Sequence, residues 1–210
     1  MEVGVGNQWI RTALLSVGLL ALGSWACVAQ TDVAASLYGA FSESSNGNDT
    51  TQSPSNAAGA LFEVRHISNP LVGFEGTYSI NRANQAYRYT FPPPCTPPGC
   101  QEPIGVSANA HEVTGDWVVS VKVANLRPFG LAGVGLLFNE PIGGQAETQS
   151  QTKPVFVYGA GLDWGMLPHL GLRFQYRGNL YRAPNLTKLY SSVNSFTHTS
   201  EPVLGAYFRF

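Results

Sequence analysis

Beyond residue 30 the apolar residues of this chain come singly, at every second position, in short runs set between polar or proline-rich connections. Successive side chains of a strand point to opposite faces, so a period of two marks strands with one apolar face. The alternation predicts strands over 32–41, 59–67, 72–81, 111–123, 129–138, 155–164, 170–181 and a last one that closes the chain through 203–210. The clearest phase is in the third, where Val72, Phe74, Gly76, Tyr78 and Ile80 oppose Gly73, Glu75, Thr77, Ser79 and Asn81. The run 129–138 is apolar on both sides, and its phase stays open. At the end, Leu204, Ala206, Phe208 and Phe210 alternate with Val203, Gly205, Tyr207 and Arg209.

The connections alternate between two kinds. Those at 68–71, 125–128 and 166–169 are very short, and Asn69-Pro70 is a turn initiator, so the strands they join are antiparallel neighbours. Those at 43–56, 82–106, 139–154 and 182–197 are long and polar. The stretch 43–56 reads as a solvated loop. The segment 82–106 carries PPPCTPPGC and reads as excluded from the sheet, because proline cannot donate to a ladder.

Eight strands with this alternation predict an all-β fold, an eight-stranded antiparallel up-and-down transmembrane β-barrel over residues 30–210. Both termini then lie at the rim of the short turns, with the long loops at the other. A soluble sandwich shares the alternation, so charge decides. On the polar face Asp32, Glu63, Glu75, Glu112, Asp116 and Asp163 nearly balance Arg65, Lys122, Arg173, Arg177 and Arg209. Near balance suits a closed interior, where an unpaired charge is expensive. The ten residues Glu63, Arg65, Glu75, Glu112, Asp116, Lys122, Asp163, Arg173, Arg177 and Arg209 form the expected interior charge network, with Asp32 beside them.

Residues 1–29 read as a signal peptide: Arg11 precedes an apolar run over 13–22, and Cys27-Val28-Ala29 offers small residues before Gln30. A membrane anchor is the alternative, but the run is shorter than the ~20 residues of a spanning helix. A lipidated Cys27 is another, and Ser24-Trp25-Ala26 matches that signal poorly. Secretion exposes the mature chain to an oxidising compartment, so Cys95 and Cys100 read as a disulfide. A metal or redox pair there lacks a third ligand, His111 being the nearest histidine, and no metal or cofactor is expected. A charged fraction of 12 % is about half the usual ~25 %. With a net charge of −1 it gives no case for nucleic acid.

Gly205, Phe208 and the terminal Phe210 resemble the C-terminal strand signal of bacterial outer-membrane barrels, with Val203 departing from a position that is polar in that signal. The mature chain as a whole resembles the OmpA-like family of small eight-stranded barrels (OmpA, OmpX and OmpW), without the periplasmic OmpA C-terminal domain. The resemblance implies the bacterial outer membrane, reached by secretion through the inner membrane with signal-peptide cleavage. Its implied partners are outer-membrane lipid, the barrel-assembly machinery, and an extracellular ligand or surface met by the loops. Its implied roles are envelope integrity, surface interaction or, as in OmpW-like barrels, a narrow conduit for small or apolar solutes. An open porin-sized channel does not follow, since eight strands leave room only for side chains.

The overall reading is non-enzymatic. One stretch points elsewhere: His198 and Ser200 share a strand face and resemble the His-x-Ser arrangement of PagL-type lipid A deacylases, while Glu201 points to the opposite face. Trp117, Trp164, Tyr158, Tyr176 and Tyr181 read as membrane-interface anchors. Gly130, Gly133 and Gly135 lie within a strand with no helix to follow, which suits close packing of the wall better than a phosphate loop.

Overall fold

The computed structural model describes residues 29–69, 71–90, 103–143 and 147–210. The signal-peptide assignment, but for Ala29, and the Cys95–Cys100 pairing fall outside these residues. Ten strands occur among the described residues: β1 (Gln30–Ser42), β2 (Ser45–Gly47), β3 (Thr50–Pro54), β4 (Ala57–Ile67), β5 (Val72–Tyr89), β6 (Ile104–Ser120), β7 (Leu126–Pro141), β8 (Gln151–Gly165), β9 (Leu170–Arg182) and β10 (Phe196–Arg209). Eight of them close a barrel, each antiparallel to its neighbours, and β1 pairs with both β4 and β10 to seal it. Closure leaves no edge strand in the wall. Gln30 pairs with Ile67 and Asp32 with Arg209, which sets both ends of the barrel chain at the rim of the short turns.

Around the turn-side half of the wall the outward positions are apolar. Leu37 is 72 % exposed, Trp117 64 % and Val134 65 %. Each such side chain facing water would forfeit ~1.5–3 kcal/mol of burial, a penalty that a hydrocarbon surround removes. The alternation then inverts along β5 and β6. Beyond Ile80, Arg82, Asn84 and Arg88 point outward and are exposed, while Tyr87, Val106 and Ala108 turn inward and are buried. The inversion marks the level at which lipid outside gives way to water.

The belt at that level is aromatic and hydrogen-bonded. The Tyr78 hydroxyl lies 2.8 Å from His111 Nδ1, that of Tyr158 3.0 Å from His198 Nε2, and that of Tyr176 3.0 Å from Ser200 Oγ. Amphipathic rings gain from such a position, with one end apolar and the other wet. Trp117, Trp164, Tyr158 and Tyr176 all face outward. Tyr181 does not: it is buried inside the barrel with its hydroxyl 2.9 Å from Thr199 Oγ1.

The long connections are more ordered than their polarity suggests. Residues 43–56 hold β2 and β3, and β3 pairs with the far end of β5. Side-chain hydrogen bonds replace apolar packing there: Gln52 Nε2 donates to Gln85 Oε1 at 2.8 Å and Thr51 Oγ1 to Asn46 Oδ1 at 2.7 Å. Nor is 82–106 excluded from the sheet, since β5 runs to Tyr89 and β6 starts at Ile104. The proline-rich middle of that segment, 91–102, lies outside the described residues.

The connection from β9 to β10 folds across the outer mouth. Its Leu186, Tyr190 and Val193 are buried, Leu186 and Tyr190 against Tyr87, Val106 and Ala108. The Tyr87 hydroxyl donates to the Pro184 carbonyl at 2.8 Å and accepts from the Leu186 N–H at 3.0 Å. Asn48 Nδ2 donates to the Ser192 carbonyl at 2.7 Å and Ser195 Oγ to the Asn46 carbonyl at 2.6 Å, which ties this cap to the β2–β3 hairpin.

Candidate functional site

Inside the barrel, register places opposite charges side by side. Across the β4–β5 hairpin Arg65 is paired with Glu75, and across β8–β9 Asp163 is paired with Arg173. On either side, Asp32 opposes Arg65 and Arg127 opposes Asp163. Strand pairing thus builds the network before any side chain has to reach.

Arg173 is the centre of the turn-side tier. Its Nε donates to Asp163 Oδ1 at 2.7 Å and its Nη2 to Asp163 Oδ2 at 3.0 Å and Asp32 Oδ1 at 2.9 Å. Its Nη1 stands 3.5 Å from both Glu63 Oε1 and Glu75 Oε2. Arg65 Nε donates to Glu75 Oε2 at 2.5 Å and Nη1 to Asp163 Oδ2 at 3.1 Å, while its guanidinium lies 4.0 Å over the Phe129 ring. These charged side chains are fully buried. The stacking also settles the phase of β7, whose inward Phe129 and Leu131 pack with Val118 and Val157.

A second tier lies toward the outer mouth. Arg177 Nη2 donates to Glu112 Oε1 at 3.2 Å and its Nε is 3.8 Å from Glu201 Oε2. Asn179 Nδ2 donates to Glu112 Oε2 at 3.0 Å, and Thr114 Oγ1 to Asp116 Oδ2 at 3.0 Å. Above it is a cavity of about 40 Å³ lined by residues that include Tyr38, Asn139, Tyr181 and Glu201. That is room for a few waters.

Two of the expected network members lie elsewhere. Lys122 is exposed on the turn after β6, which ends at Ser120, so the residue never enters the interior. Arg209 sits at the turn-side rim, half-buried, with its Nη2 3.3 Å from the Tyr207 hydroxyl. Arg127 and Glu201 take interior places instead. Arg127 falls in the predicted turn 125–128, and Glu201 lies just before the predicted last strand, 203–210, whereas β10 begins at Phe196; the period-two phase of β10 carries the signal for Glu201. Among the described residues the buried interior therefore holds seven carboxyl groups (Asp32, Glu63, Glu75, Glu112, Asp116, Asp163, Glu201) and four guanidinium groups (Arg65, Arg127, Arg173, Arg177). Acids outnumber bases, so one guanidinium serves several carboxylates, as Arg173 does.

Close packing of rings on glycines completes the wall. At Gly171 an added Cβ would run into the Tyr207 ring, and at Gly178 it would come within 2.5 Å of the Tyr158 ring that crosses β9 to reach His198. His198 and Ser200 are each engaged by a different tyrosine on the outer face, and neither makes the His–Ser hydrogen bond of a nucleophile and its base. No group of three or more metal-ligating side chains occurs among the described residues.

A family model, "Outer membrane protein beta-barrel domain", matches residues 12–198. The chain belongs to this family, and its fold and outer-membrane location follow. No curated relative matches it by sequence. Among solved structures it is similar to the outer-membrane protein OprG from Pseudomonas aeruginosa (10 % identity, 87 % of this chain and 96 % of that one, TM-score 0.62). It is also similar to Neisserial surface protein A (15 % identity, 86 % and 97 %, TM-score 0.57). A third is Ail, the attachment invasion locus protein of Yersinia pestis, solved with the heparin analogue sucrose octasulfate (17 % identity, 88 % and 100 %, TM-score 0.54).

Proposed function

We propose that this protein is a non-enzymatic, non-conducting outer-membrane barrel that serves the envelope and meets external surfaces or ligands through its extracellular loops. The observation that carries this reading is the occupied bore: two ion-paired tiers stand across it, and the β9–β10 connection packs on Tyr87, Val106 and Ala108 at its outer end. A conduit for solutes needs a path, and the paired side chains of the two tiers stand where it would have to run. A lipid A hydrolase needs a base on its nucleophile, and the tyrosine partners of His198 and Ser200 speak against it. Ail was solved with the heparin analogue sucrose octasulfate; at 17 % identity that likeness carries the fold alone.

The same reading includes a signal peptide removed near residue 29, insertion by the barrel-assembly machinery through Gly205, Phe208 and Phe210, and a Cys95–Cys100 disulfide. What supports the disulfide is the oxidising compartment and a spacing that leaves only four residues between the two cysteines. The test is a deletion strain complemented with wild type or with a variant in which 43–56 and 183–195 are replaced by short turns. Wild type is expected to restore surface binding and detergent resistance, and the loop-shortened barrel to lose the binding. Full binding by the loop-shortened barrel would refute the role given to the loops.

A further inference from the structure

The turn-side mouth of the barrel holds a cavity of about 290 Å³ that the interior network does not fill. Lys122, Arg127 and Arg209 line it, the two expected network cations and the one that sequence missed. Asp163 is the carboxylate among its lining residues, and both of its oxygens are already held by Arg65 and Arg173. The mouth is therefore cationic.

The guanidinium groups there have hydrogen bonds to spare. Arg127 is 8 % exposed and donates from Nη2 to Gln30 Oε1 at 2.9 Å, but its Nε and Nη1 have no partner among the described residues. Arg209 likewise uses Nη2 on Tyr207 and leaves Nε without one. Buried N–H groups of a cation left unpaired are costly, and an oxyanion satisfies them in pairs because the guanidinium fork matches its geometry. Leu126, Met166 and Leu167 are exposed beside the cations on the same rim. That places an apolar collar at the level of the periplasmic leaflet.

We propose that this mouth binds a phosphate group, held by Arg127, Arg209 and Lys122. Free phosphate and the headgroup of a lipid in the adjoining leaflet share the required chemistry. The site goes beyond the loop-based reading above and faces the opposite side of the membrane.

The experiment uses the full mature chain, refolded in a maltoside detergent that contains no phosphate, with arginine Nε–H signals followed by NMR. Inorganic phosphate is titrated against sodium chloride at matched ionic strength, followed by a soluble short-chain phosphatidylglycerol. Saturable shifts confined to Arg127 and Arg209 are expected, with affinity reduced at least tenfold in Lys122→Gln/Arg209→Gln. That variant alters only exposed or rim residues, and its unboiled gel mobility checks that it folds. Saturation by inorganic phosphate at the same or lower concentration than by the lipid assigns a free-anion site; tighter saturation by the lipid assigns a headgroup site. No saturable shift with either ligand, or equal affinity in the variant, overturns the proposal.

Discussion

Replacing Arg173 with Met removes the hub of the turn-side tier while keeping a long apolar side chain. The wild-type guanidinium makes three charge-assisted hydrogen bonds, two to Asp163 and one to Asp32, and stands 3.5 Å from Glu63 and Glu75. At ~1.5–3 kcal/mol each, three such bonds amount to roughly 5–9 kcal/mol gross. The freed carboxylates recover part of this by taking up water or protons, and breaking a buried pair by removing one partner costs ~3–5 kcal/mol. With a urea slope of ~1–3 kcal/mol/M, the unfolding midpoint in lipid vesicles is expected to fall by roughly 1–5 M. Arg82→Met, at an exposed outward position, is the control and should stay within ~0.5 kcal/mol of wild type. Removing the partner too, in Arg173→Met/Asp163→Asn, should recover at least ~1 kcal/mol of the sum of the single losses. A loss below ~1 kcal/mol for Arg173→Met would refute the claim that the interior depends on ion pairing.

Three further outcomes follow from the wall, the cap and the outer belt. Gly171→Ala, whose Cβ meets the Tyr207 ring and the Trp164 carbonyl, should cost ~1–3 kcal/mol, whereas Gly76→Ala, with nothing within 4 Å of the new methyl, should be neutral or slightly stabilising in the same urea titration. Tyr87→Phe removes the hydroxyl that links Pro184 and Leu186, so hydrogen exchange and protease cleavage within 183–195 should accelerate by about tenfold or more while the barrel midpoint stays put. Mass spectra of lipid A from cells carrying wild type, His198→Ala and Ser200→Ala should be identical; a species present only with wild type would revive the hydrolase reading.

The barrel was legible because lipid outside and charge inside both impose a period of two, so eight strands could be placed from alternation and their turns from Asn-Pro and Pro. Legibility failed where the surroundings change. Above the membrane the outside is wet, the outward face of β5 and β6 changes from apolar to polar beyond Ile80 and His111, and polar outer ends have the composition of a loop. The β2–β3 hairpin gave no signal, because Thr51 and Gln52 are held by polar partners rather than by an apolar face. In the interior, Arg65, Glu75, Asp163 and Arg173 were readable as charges facing one way, and the two hairpin pairs recur ten residues apart. Lys122 stays outside the interior because β6 stops three residues before the predicted end, and alternation leaves β7 unphased because its inward Phe129 meets a guanidinium, a partner that periodicity cannot reveal.

The proposed function separates two kinds of work: the wall and its ion pairs give a filled body, and the outward loops carry recognition. The most direct test of that separation is planar-bilayer recording with the mature protein, after faster migration of the unboiled sample has established that it is folded. The account predicts a silent membrane in molar potassium chloride across the accessible voltage range. Discrete, long-lived ohmic steps that track the folded band would show a continuous water path past Arg173 and Arg177 and contradict it.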